Sequence, residues 1–170
     1  ACAGMASRSV ALNHLEDRIR VHTMDLKDAP DRLGHSAFDA VLCNPPYGKR
    51  GGALRNPRDE LAIARHEIAT DLAAVVRSAA ALLKNGGRFF LIHQADRLPE
   101  IARRLHEAGA PLKRVRLVHT SLERRAHLVL CEAVRFAGEG CIVLPPLLLQ
   151  DAQGQPSQEL LRIYQGERTV

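Results

Sequence analysis

The residues best suited to chemistry are Asn44-Pro45-Pro46-Tyr47, which close a short apolar run from Phe38 to Cys43. An asparagine side chain offers a carbonyl oxygen as acceptor, and the Pro45 main-chain carbonyl offers a second. Two acceptors at a fixed angle can each take one hydrogen of a planar exocyclic amine. The lone pair of such an amine is delocalised into its ring and is a poor nucleophile. Held this way, it turns toward an electrophilic methyl group, and the charge developing on nitrogen is stabilised. Proline fixes φ, so its carbonyl is oriented before a substrate arrives. Tyr47 supplies a flat face for an extruded base, a contact worth roughly 1–3 kcal/mol. No strong general base is required, because the cationic product loses its proton readily. An ordinary turn is the competing reading of any isolated tetrapeptide.

The elements that must hold this corner can be read on either side of it. Phe38 to Cys43 has the length of one strand and is β-favouring at Phe38, Val41 and Cys43. Pro45 and Pro46 have no N–H to give a sheet, so the strand stops there, and each biases the preceding residue toward extended geometry. The corner therefore sits at a strand's C-terminal edge, where open α/β sheets bind ligands. Upstream, Ala1 to Asn13 reads as a helix, and Arg18 to Met24 as an alternating strand closed by Asp25.

Downstream, Gly48 to Arg58 carries four basic residues, three glycines and no acid. It reads as a loop for phosphate contacts or as a plain solvated one. Asn56-Pro57 then opens a helix to about Ile68. Asp71 to Leu83 repeats apolar residues at helical spacing, with Asn85-Gly86 as its stop. Arg88 to His93 is a buried strand, and Pro99 starts a helix ending near Gly109. Leu112 to His119 and His127 to Phe136 alternate as an antiparallel hairpin at the sheet edge, joined by a loop carrying Arg124 and Arg125. With Lys113, Arg114 and Arg116 these form a basic cluster whose ordinary reading is solvated surface. Ile142 to Leu149 is apolar but broken by Pro145-Pro146, which points to an edge strand or a docking arm. A polar turn from Gln150 to Ser157 and a short helix from Glu159 to Gln165 follow.

Composition bounds the class. A chain of 170 residues, 46% hydrophobic and 25% charged, fits one soluble domain, taken as residues 1–170. Net charge is +5 from 24 basic and 19 acidic residues, a bias toward polyanionic partners. The four cysteines have no paired short spacing, so no metal site is expected. Cys43 and Cys131 read as core residues, and the cysteine usage fits a reduced, cytoplasmic setting. No apolar run approaches membrane-span length.

The corner resembles the substrate-amine motif of the class I S-adenosylmethionine-dependent methyltransferases that act on nitrogen. Ser9-Val10-Ala11-Leu12-Asn13, Leu15 to Val21, Ala64-Arg65-His66-Glu67 and Leu83 to Arg88 are similar to one branch, the bacterial tRNA-valine adenine-N6 group. So is the tail, Leu144 to Leu147 and Glu159 to Tyr164. The resemblance implies an α/β fold: a Rossmann-like sheet with a C-terminal antiparallel hairpin. It implies S-adenosylmethionine as cofactor, bound by Asp25 through its adenine amino group, with the Leu26 backbone and Asn44 beside it. It implies catalytic roles for Asn44, Pro45 and Tyr47, and tRNA contacts from Pro46, Lys49, Arg50 and His66. The glycine-rich cofactor turn of that class is not in the sequence, so the expectation is a fragment lacking the first strands. Three alternatives stay open: a protein-glutamine acceptor, an rRNA guanine amine, and a non-catalytic RNA-binding remnant of the fold.

Overall fold

A computed structural model describes residues 2–45 and 72–166. Helix α1 (Cys2–Leu12) leads, and a 3-10 turn (Leu26–Asp28) runs directly into α2 (Ala29–Leu33). Strand β1 (Phe38–Cys43) has the bounds its sequence requires. Helix α3 (Leu72–Leu82), strand β2 (Leu83–Gln94), helix α4 (Leu98–Glu107), and strands β3 (Leu112–His119) and β4 (Leu128–Val134) follow. Two short strands, β5 (Ile142–Val143) and β6 (Leu147–Leu148), and helix α5 (Gln158–Tyr164) finish the described chain.

These strands form one sheet in the order β1-β2-β4-β3, with β5 and β6 both on the outer side of β3. β1 and β2 are parallel, with Val41 opposite Phe89 and Cys43 opposite Leu91. β4 is antiparallel to both neighbours, and β5 and β6 run parallel to β3. Alternation then decides which side chains meet. Phe89, Leu91, Val115, Val129, Cys131 and Ala133 face one way and are buried with Leu72, Val75, Val76 and Ala79 of α3 and Ile101 and Leu105 of α4. The alanines of α3 keep its surface low, so helix and sheet pack closely. In α4 the fully buried pair is Ile101 and Leu105, one turn apart, under an otherwise charged helix. Each such large side chain contributes about 1.5–3 kcal/mol on burial.

Three expectations are corrected. Residues 18–24 alternate as foreseen but form no strand: among the described residues no ladder partner lies beside them, and Ile19 and Val21 are exposed. Alternation supplies a face, but a strand also needs a hydrogen-bonded neighbour. Gly86 does not cap α3. That helix ends at Leu82, and its last carbonyls accept from the loop before β1: Ser36 N–H donates to Ala81 O and Ala37 N–H to Leu82 O. Gly86, with φ of +74°, instead sits where the register of β2 slips between Leu83 and Arg88. There its N–H donates to Arg135 O. Finally, the β3–β4 hairpin is not the sheet's edge, because β5 and β6 cover the outer side of β3.

Only one face of the sheet carries α2, α3 and α4. On the other face Leu42, Phe90, Ile92, Leu130 and Leu144 line a cavity of about 500 Å³. No residue of α1 is buried, so that helix does not cover the face.

Candidate functional site

β1 delivers the corner. Val41 and Cys43 pack on the helical side, while Leu42, between them, is 78% exposed on the opposite one. Continued alternation turns Asn44 to Leu42's side, and Asn44 indeed lines the 500 Å³ cavity with Leu42, Phe90 and Leu144. Asn44 is exposed and Pro45 is buried. The asparagine thus faces an opening while the following proline is anchored, which fixes the direction of the chain at the corner. Burial pushes the Cys43 thiol up, so the residue beside the corner is held as a neutral packing group.

Asp25 and Leu26 arrive from another direction. The loop after α2 reaches the C-terminal end of α3, next to the start of β1, because Ser36 and Ala37 donate to the last turn of α3. The chain therefore descends from Asp25 through α2 and rises again in β1. Asp25 caps the 3-10 turn: its Oδ1 accepts from Lys27 N–H at 2.9 Å, and its Oδ2 accepts nothing from the described residues. Leu26 packs against the core and pins the turn. Pro46, Tyr47, Lys49, Arg50 and His66 lie outside the described residues, as does the helix expected from Asn56 to Ile68.

The basic cluster separates into three kinds of residue. Lys113 holds the carbonyls of Gly138 and Glu139. Arg114 and Arg88 flank Glu132 at 3.5 and 3.4 Å on the open face, and Arg116 Nη2 donates to both carboxylate oxygens of Glu159 at 2.7 and 2.8 Å. Arg124 and Arg125, at the hairpin tip, are exposed and form no ion pair among the described residues.

Sequence reading passed over His93. It is the last core-facing residue of β2 and is buried, with Nδ1 accepting from Gln94 N–H. Desolvation, then the nearby Arg97 guanidinium, lowers its pKa, against weaker pulls from Asp96, Gln94 and Glu100. A histidine at the polar end of an apolar strand was the available signal. The Arg116–Glu159 pair left no such trace, since the partners are 43 residues apart. Among the described residues, no group of three His, Cys, Asp or Glu is placed to hold a metal ion. No described helix is long and apolar enough to cross a membrane.

No protein-family model matches the chain. It is similar to a curated Porphyromonas gingivalis protein named tRNA1(Val) (adenine(37)-N6)-methyltransferase. That match is 29% identical over 167 residues, 95% of this chain and 64% of the relative. A Phocaeicola vulgatus protein of the same name is 30% identical over 138 residues, 81% of this chain and 56% of the relative. The chain thus spans less than two thirds of the length of these relatives. Among solved structures, a predicted O-methyltransferase from Agrobacterium tumefaciens superimposes with a TM-score of 0.72 at 21% identity, covering 99% of this chain and 76% of that one. A putative sarcosine dimethylglycine methyltransferase from Galdieria sulphuraria gives 0.54 at 10% identity, covering 84% and 67%.

Proposed function

We propose that this chain, which has the Rossmann-like class I methyltransferase fold, forms the amine-orienting part of an S-adenosylmethionine-dependent adenine-N6 methyltransferase acting on tRNA. The observation that carries the reading is the corner after β1. Asn44 faces a cavity at the C-terminal edge of a parallel strand, and the next residue, Pro45, is buried and rigid. The Asn44 side-chain oxygen and the Pro45 carbonyl each accept one hydrogen of the adenine amine, and Tyr47 stacks the base. Asp25, with the Leu26 main chain beside it, holds the cofactor's adenine through the carboxylate oxygen its own turn leaves over. The cofactor supplies the methyl group; the chain's contribution is to fix the amine and stabilise its developing charge. Pro46, Lys49, Arg50 and His66 serve the approach of the RNA, in a cytoplasmic enzyme.

The names of the curated relatives favour adenine in tRNA over the other planar amines the same acceptor pair accommodates. The test is acceptor choice. The complete gene product is given labelled S-adenosylmethionine with unmodified tRNA or with a release-factor protein, and digested nucleosides are analysed by mass spectrometry. Label in N6-methyladenosine is the expected result. Label in protein glutamine, or none in either acceptor, contradicts the reading.

A further inference from the structure

We infer that the tip of the β3–β4 hairpin is a binding site for the sugar–phosphate backbone of an RNA substrate, with Arg124 and Arg125 as its phosphate contacts. The inference rests on the reading just given and places a second point of RNA attachment away from the base.

Register brings the tip to the corner's end of the sheet. β1 and β2 are parallel; β1 ends with Cys43 opposite Leu91, and β2 runs on to Gln94. Gln94 lies opposite Leu128, where β4 begins, and Leu128 lies opposite Val118, where β3 is ending. The connection from Thr120 to His127 therefore rises from the same rim as Asn44. It stands two to three strand spacings across and a short way further along the strand axis, on the order of 15 Å from Asn44. That is a few nucleotides from a base seated at the corner.

The tip also has the shape, and two guanidinium groups that form no ion pair among the described residues. With the segment Leu148 to Gly154 it encloses a groove of about 850 Å³, into which Arg124, Arg125 and His127 face. The arginines of the strands are engaged: Arg88 and Arg114 share the one carboxylate of Glu132, and Arg116 pairs with Glu159. Arg124 and Arg125 have no such partner among the described residues. Two carboxylates share the groove, each hydrogen-bonded within its own loop and turned by that loop rather than by an arginine. Glu123 accepts from Ser121 Oγ at 3.0 Å, and Asp151 Oδ1 accepts from the N–H groups of Gln153 and Gln155 at 2.9 Å each.

The support is fixed as well. A 2.7 Å bond joins His119 Nδ1 to Arg124 O, His127 N–H donates to Val118 O, and Ala95 N–H donates to His127 O. The guanidinium groups thus project from a braced loop, and a planar fork of donors matches phosphate oxygens. Contacts of this kind position a nucleic acid without reading its sequence.

The test is salt-dependent binding of an unmodified tRNA transcript to the complete gene product, comparing the parent with the Arg124→Gln/Arg125→Gln double variant. Arg77→Gln, on the exposed side of α3 away from the rim, serves as the control for diffuse charge. Expected for the double variant are about tenfold weaker binding near 0.1 M salt and a slope of log affinity against log salt reduced by roughly 1.5. Binding of S-adenosylmethionine and the thermal midpoint stay unchanged. An unchanged slope in the double variant, or an equal loss in Arg77→Gln, overturns the hairpin site while leaving the methyltransferase reading intact. Transfer of label to protein in the acceptor assay overturns the RNA reading and this site with it.

Discussion

At the scale of single residues, the site depends on which polar groups are exposed to an opening and which are sealed. Asn44 faces a cavity; Pro45, next to it, is buried. Cys43 and Cys131 show how thoroughly the helical side is sealed, since burial raises both thiols and pushes Cys131 up to about 12. His93 is the exception, a titratable ring within that sealed layer. Its folded pKa lies below its unfolded one, so below about pH 6.5 the unfolded chain binds more protons than the folded chain. Stability contributed by the neutral ring is therefore present above that pH and is lost as pH falls toward the folded value. Urea midpoints should drop between pH 7.5 and 5.5, and His93→Gln should flatten that drop. A parent midpoint that stays level across the window would show that the ring is not held neutral by burial.

At the scale of elements, the C-terminal arm is fastened by few contacts. β5 and β6 add two residues each to the sheet, and Arg116 ties them down. Its Nε donates to Pro145 O at 2.9 Å, and its Nη2 reaches both carboxylate oxygens of Glu159 in α5. The Arg116 side chain is 14% exposed and that of Glu159 34%, so solvent screens the pair only in part. Arg116→Ala should cost about 1–3 kcal/mol. Hydrogen exchange should accelerate in residues 142–164 and stay slow in β2 and β4; uniform acceleration would contradict the assignment of an independent arm.

The same elements show what sequence could reveal. β1, α3, α4 and the hairpin strands followed from apolar period and from Pro45, Pro46 and Pro99, which are local causes. The break at Pro145-Pro146 foretold an edge arm. Residues 18–24 misled because alternation records a face and not a neighbour. Gly86 misled because a left-handed glycine serves a bulge as readily as a helix end. The fate of the arginines was illegible, since Glu132 and Glu159 reach theirs only through the sheet.

At the scale of the whole molecule, the sheet is asymmetric among the described residues: helices bury one face, while the other presents Leu42, Phe90, Ile92 and Leu130 around the cavity that Asn44 lines. Under the proposed function the rim above β1 and the hairpin divides the work: the corner takes the reacting amine, and Arg124 and Arg125, without ion-pair partners among the described residues, take the backbone that carries it. A net charge of +5 favours a polyanion without orienting it, and under the proposed function orientation falls to the rim. The decisive measurement is single-turnover methylation of unmodified tRNA by Asn44→Ala in the complete gene product, with S-adenosylmethionine affinity measured by calorimetry alongside. Turnover should fall by at least 10²-fold, the scale for losing one oriented charge-stabilising contact, while cofactor affinity stays within about twofold. Methylation at the parental rate would contradict the assignment.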